Sequence, residues 1–401
     1  MHASARSVGL WLALVQFFFT LTWTVYVIFL PQLAEAAGIS RSQVIFILML
    51  DQIIFALVDF AMGFAADRVA RVFGRLGRMV VLLTLVSCLA FLLLPIVTLA
   101  APGNAAVFLA LTVLWSVTSS ALRAPPLMLL GKYATRPAVP WLAGLSLFGI
   151  GVAGAISPYL TVTLKNFDPR LPFALSSIAL ALATCGIIWA ERRLAAAAVP
   201  PAAPAQLRID GTLLAFLAGA ALLGLGFQVH FALNSAAQYL RFAKPADLEW
   251  LMPVFWVGFN LLMWPAAIWV QRSGGVVVMA AGSVVGALAA SLAAFAGNME
   301  MLVAAQFIAG GAWGAVLLSA VAACIALGHL GREGVMTGSL FSLLALAAFA
   351  RMALVAAQLN KDAQFAPLLP WLPTAAWLTA GVLLLAMGWL LRGPRLQHIK
   401  I

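Results

Sequence analysis

Residues 191–210 read ERRLAAAAVPPAAPAQLRID. Pro200, Pro201 and Pro204 break any helix here, since each lacks a backbone N–H and crowds the carbonyl one turn earlier, and charges mark both ends. On either side the chain is a succession of apolar runs. A helix needs about 20 apolar residues to cross the hydrocarbon core. That rule predicts spans at 9–34, 42–66, 77–101, 105–131, 138–163 and 171–191 before the segment, and at 211–240, 247–271, 274–297, 300–328, 334–359 and 368–391 after it. The expected organisation is an N-terminal six-helix bundle (1–191), a linker (192–210) and a C-terminal six-helix bundle (211–401).

Composition agrees with this layout. Of 401 residues, 64% are apolar and 9% charged, against about 45–50% and 25% in soluble domains. Too few polar side chains exist to cover a water-exposed globule, which excludes a soluble enzyme, a disordered regulator and a nucleic-acid binder. The formal charge of +11 is a topology signal, because the basic residues sit in the gaps between apolar runs. With a cytoplasmic N-terminus, fifteen Lys and Arg fall on that side, among them Arg6, Arg68, Arg71, Arg75, Arg78, Lys132 and Arg272, and six fall on the other, so both termini are expected in the cytoplasm. The first apolar run is too long for a signal-peptide core and is read as a retained span. Cys88, Cys185 and Cys324 lie in separate apolar runs and offer neither a disulfide framework nor a zinc cluster.

Between spans 2 and 3, Gly63-Phe64-Ala65-Ala66-Asp67-Arg68 is followed by Gly74-Arg75. Together with twelve spans in two sixes, this resembles the cytoplasmic loop motif of the major facilitator superfamily. Gly63 permits close helix approach. Asp67 can accept hydrogen bonds from a neighbouring helix end or pair with Arg71 or Arg75, so Gly63, Asp67, Arg68, Arg71 and Arg75 form a candidate conformational latch. The alternative is a solvated basic loop that only fixes topology. Asp59, eight residues before Asp67, the spacing to Phe73-Gly74-Arg75 and the prolines of span 4 are similar to the glycoside-pentoside-hexuronide cation symporters, melibiose carrier-like proteins. That resemblance implies cation-coupled transport by a protein acting as a monomer. The family's span 4 acid is replaced here by Arg123, its span 1 acid by Phe19 and the following span 4 aromatic by Leu127. A sodium site and galactoside recognition are therefore not carried over, and H+ is the preferred coupling ion.

Ionisable groups inside a span are costly and normally functional. Asp51 and Asp59 on span 2, Arg123 on span 4 and Arg351 on span 11 qualify. Asp59 and Arg123 share a depth and are expected to pair, while Asp51 is the candidate proton carrier; a permanent structural ion pair is the alternative. Arg351 has no acid near it in sequence and is read as a site for an organic anion, or as a residue snorkelling to the interface. Trp23 and Tyr26 on span 1, His230 and Asn234 on span 7, Trp256 and Asn260 on span 8 and Trp313 on span 10 are candidates to line a substrate path, against the alternative of packing or helix bridging.

No nucleophile with its base, metal cluster or phosphate-binding loop is legible, and no cofactor is expected. The sequence reads as a multi-pass membrane transporter, in the inner membrane if bacterial, with a small-molecule substrate that is anionic or amphipathic. Uncoupled or exchange transport of organic anions, lipophile efflux and a non-transporting assembly or lipid-delivery role are the alternatives.

Overall fold

The computed structural model describes residues 3–69, 75–133, 138–195, 210–328 and 331–391. Among them every regular element is helical. Eleven helices are long and apolar enough to cross a membrane, and a shorter apolar helix covers Leu372–Met387. The chain is an integral, multi-pass membrane protein with an all-α architecture.

Before the linker the elements are α1 (Ala3–Ala36), α2 (Val44–Val69), α3 (Arg75–Ala100), α4 (Ala105–Ser119), α5 (Pro125–Tyr133), α6 (Val139–Leu164) and α7 (Arg170–Ala195). After it come α8 (Gly211–Phe227), a π-helical segment (Gln228–Asn234), α9 (Ser235–Tyr239), α10 (Leu248–Leu251), α11 (Pro253–Ser273), α12 (Gly275–Phe295), α13 (Met299–Leu327), α14 (Glu333–Ala356) and α15 (Leu372–Leu391). Polar caps start several of them: Asn104, Asp210 and Asn298 each accept a backbone N–H three residues on, from Val107, Leu213 and Met301. Gly274, at φ +85°, turns the chain between α11 and α12. Of the linker, residues 196–209 lie outside the described residues.

Two of the spans depart from regular α-helix within their length. Span 4 breaks into α4, a 3-10 turn (Ser120–Leu122) and α5. Pro125 and Pro126 are the reason, because they cannot donate to the carbonyls of Ala121 and Leu122. The carbonyl of Leu122 is instead met by the Gln16 side-chain amide, 2.8 Å away. Span 7 is interrupted by the π segment, where the carbonyl of His230 receives both the backbone N–H and, at 3.0 Å, the hydroxyl of Ser235.

The segments before and after the linker meet along two antiparallel seams, α2 with α14 and α6 with α11. Both are lined by small residues. A Cβ on Gly63 would collide with the carbonyl of Gly334, and one on Gly338 would press on the carbonyl of Asp59. Ser342 donates its hydroxyl to the carbonyl of Ala56. Along the other seam Gly144 faces Trp264, Gly151 faces Asn260 and Gly154 faces Trp256. The inner piece of span 4, α5, also packs against α13 and α14, whereas α4 packs chiefly against α2 and α3. The two parts therefore meet at the end of α2 that carries Asp67 and also toward the far end of α6, where Tyr159 lies 4.9 Å from Trp250 of α10.

Candidate functional site

Asp67 ends the α2 seam. Its two carboxylate oxygens accept the backbone N–H groups of Gly334 at 2.7 Å and Val335 at 2.8 Å, the first turn of α14. Those N–H groups have no partner within their own helix, and the helix dipole favours an anion there. Of the two latch geometries open to Asp67, the structure thus adopts the bond to a helix end. Gly63, one turn earlier, lets the backbones approach closely enough for that reach. Arg68 is exposed and lies over the Phe64 ring at 4.3 Å, Arg75 is exposed at the start of α3, and Arg71 lies outside the described residues.

Deeper along α2, Asp59 is fully buried and pairs with Arg123, whose Nε lies 2.9 Å from Oδ2. Arg123 follows the 3-10 turn, so the proline-induced break presents it. Its guanidinium sits 4.6 Å from the Phe55 ring centre and 5.7 Å from that of Phe341 on α14. The pair is thereby built into the α2–α14 seam as well as into the bundle.

Asp51 is also fully buried, but its partners are hydroxyls. Tyr26 donates to Oδ2 at 2.8 Å and Ser116 to Oδ1 at 2.6 Å, tying α2 to α1 and α4. Around this acid lies an aromatic shell in which Tyr26 and Trp115 are 4.5 Å apart and Trp23 stacks on Trp115 at 6.0 Å. An ionised Asp51 accepts both hydroxyls. A protonated Asp51 must donate through one oxygen, and a hydroxyl can reverse to accept it. The network accommodates either state without moving a helix.

Arg351 lies nine residues beyond Ser342 on α14, about 13 Å along the axis, and Asp51 lies five residues beyond Ala56 on α2, about 8 Å in the same direction. Both are therefore on the side of the seam away from Asp67. Among the described residues Arg351 has no ion-pair partner, and its Nε makes no hydrogen bond. It does not pair with Asp51.

The remaining candidates divide between two places. Trp256 and Asn260 sit against Gly154 and Gly151 in the α6–α11 seam, and the Asn260 side-chain carbonyl is buried without a hydrogen bond. His230, Asn234 and Trp313 are buried after the linker. His230 Nε2 lies 3.1 Å from Gln306 Oε1, which also accepts from Ser235 at 3.0 Å, while Gln306 donates to Gln238 at 3.0 Å. Asn234 donates to the carbonyl of Leu369 at 2.8 Å, and Trp313 stacks on Phe227 at 4.3 Å. Ser116 escaped sequence reasoning as an Asp51 partner, because serines are common in membrane helices and spacing along one span says nothing of a contact from another. Glu191 escaped it too: at the end of α7 it accepts the N–H of Gly77, 2.9 Å away near the start of α3.

No protein-family profile matches the chain, and no curated protein does. Among solved structures, it superposes on the human organic anion transporter MFSD10 (TETRAN) with TM-score 0.66 and 14% identity, over 97% of this chain and 99% of that one. On the major facilitator superfamily transporter FucP of E. coli, solved in the outward conformation, the TM-score is 0.64 at 13% identity, over 96% and 99%. On a bacterial homologue of the iron transporter ferroportin in an outward-facing state it is 0.71 at 12% identity, over 95% and 99%. The chain has the fold of the major facilitator superfamily.

Proposed function

We propose that the protein is a secondary active transporter that moves a small organic anion by alternating access, coupled to H+ through Asp51. The observation that carries this reading is the α2–α14 seam. It is closed by two side-chain-to-backbone bonds at Asp67, by the Ser342 hydroxyl on the carbonyl of Ala56 and by glycine contacts, all of which can separate and re-form without unfolding either helix. The bias of basic residues to the Asp67 side makes that end cytoplasmic, with both termini there, and the α2–α14 seam is read as the gate on that side. The two parts that rock against each other are residues 1–191 and 211–401, joined by 192–210.

H+ rather than Na+ fits the partners of Asp51, which among the described residues are two hydroxyls and no second carboxylate. Arg123 occupies the place where the resembling glycoside-pentoside-hexuronide symporters keep a cation-binding acid. Arg351, without a counter-ion among the described residues, supplies the positive charge for an anionic substrate.

The test is uptake into proteoliposomes across an imposed pH gradient, with sugars, sugar acids and monocarboxylates offered in turn to wild type, Asp51→Asn and Arg351→Gln. Gradient-driven uptake lost in Asp51→Asn, and anion preference lost in Arg351→Gln, are expected. Uptake indifferent to the gradient and to Asp51→Asn rejects the coupling. Undiminished anion uptake in Arg351→Gln rejects the anion site.

A further inference from the structure

Trp23 takes part in two sets of contacts. On one side its ring lies 5.6 Å from Tyr26 and stacks on Trp115 with 16° between the planes. Tyr26 is a direct donor to Asp51, and Trp115 adjoins the other donor, Ser116. On the other side the Trp23 ring lies 5.6 Å from Phe55 and packs on a cluster formed by Phe55, Ala56 and Ala345, the last of these on α14. Trp23 is half-buried, while Asp51 has no exposure.

We infer that Trp23 is the lid that shuts Asp51 off from the region between the two halves, and that separation of α14 from α2 releases it. An indole packed between Tyr26 and Trp115 on one side and the Phe55, Ala56 and Ala345 cluster on the other has little freedom to rotate. Once Ala345 withdraws, only Phe55 and Ala56 of α2 remain on that side, and the indole can swing into the space Ala345 leaves, away from Tyr26 and Trp115. The space it vacates is large enough for several waters at about 30 Å³ each, which is what a carboxyl group needs to exchange its proton. The seam and the acid are then linked through one side chain, so Asp51 meets water from the cytoplasmic side only after the seam opens. This positioning role takes its functional meaning from the reading of Asp51 as proton carrier, yet it can be tested without a known substrate.

Dicyclohexylcarbodiimide adds a protonated carboxyl group across its C=N bond, and the modified peptide is read by mass spectrometry. The full-length protein in proteoliposomes is treated and labelling of Asp51 is timed. Trp23→Ala is expected to label about tenfold faster than wild type and Trp23→Phe within about twofold of it, as opening of a local packed cover translates into access. Asp67→Ala, which weakens the seam elsewhere, is expected to accelerate labelling several-fold, and Asp51→Asn abolishes it at that peptide. Equal rates in Trp23→Ala and wild type, or no labelling of Asp51 in either, overturn the lid. If Trp23→Ala fails to fold, Trp23→Leu and Asp67→Ala carry the test, and unchanged labelling in both overturns it. Failure of the proton-carrier reading shows separately, as gradient-driven uptake that survives Asp51→Asn.

Discussion

Asp67 and Gly334 stand 267 positions apart in the chain and 2.7 Å apart in space, carboxylate oxygen to backbone nitrogen, across the seam between α2 and α14. A capping bond of this kind, with the helix dipole behind it, contributes about 1–2 kcal/mol. Asp67→Ala is expected to shift the balance between sealed and opened seam by roughly 5–30-fold toward the opened form. The measurement is the rate at which a cysteine at position 342 reacts with a membrane-impermeant maleimide. An unchanged rate would show that the cap does not hold the seam.

Steric closure is separable from the cap. A side chain on Gly63 would run into the carbonyl of Gly334, and backbone cannot yield as a side-chain tip can. Gly63→Val should prevent the seam from closing while leaving Asp67 intact, and gradient-driven uptake should fall to near background. Pulsed-EPR distances between labels on the exposed ends of α2 and α14 check it, with a broadened and lengthened distribution expected in the variant.

The Asp59–Arg123 pair stabilises against its own disruption more than in absolute terms. Removing one partner strands a buried charge, at a cost of about 3–5 kcal/mol, whereas removing both leaves none. Asp59→Asn and Arg123→Gln are each expected to lower the melting temperature in detergent by several degrees, and the double variant to melt above either. Strict additivity of the two losses would contradict the pairing.

Gln16 stands in for a donor that proline removed. Gln16→Leu orphans the buried carbonyl of Leu122 and should cost about 1–3 kcal/mol. Pro126→Ala restores a backbone N–H one turn on, so Gln16→Leu combined with Pro126→Ala should recover part of that loss. Thermal unfolding of the four proteins decides it: no recovery would mean that Gln16 acts elsewhere.

The apolar run lengths and the proline-rich segment at 191–210 announced the membrane and the likeness to the major facilitator fold, because burial in lipid imposes a length on each helix that composition alone reveals. The equal depths of Asp59 and Arg123 were legible too, since rise per residue is fixed. Contacts between spans were not. Nothing in the spacing of span 1 or span 4 shows that Tyr26 and Ser116 converge on Asp51, or that Gln16 reaches Leu122. The Trp256 and Asn260 stripe looked the same on paper whether it faced a solute or the glycines of α6. The π segment at 228–234 was hidden for a similar reason: it contains no breaker residue, and the bonds of Ser235 to the His230 carbonyl and to Gln306 of α13 become visible only in the folded chain.

Sequence by itself determined that this chain lives in a bilayer, where most of its spans begin and end to within a few residues, and which few charges its lipid-bound stretches must accommodate. Those follow from the solvation cost of each residue taken alone. Tertiary structure decided which of these charges are paired, which is held by hydroxyls, and which carries no counter-ion among the described residues, because hydrogen bonds and ion pairs depend on how helices distant in sequence lie against one another.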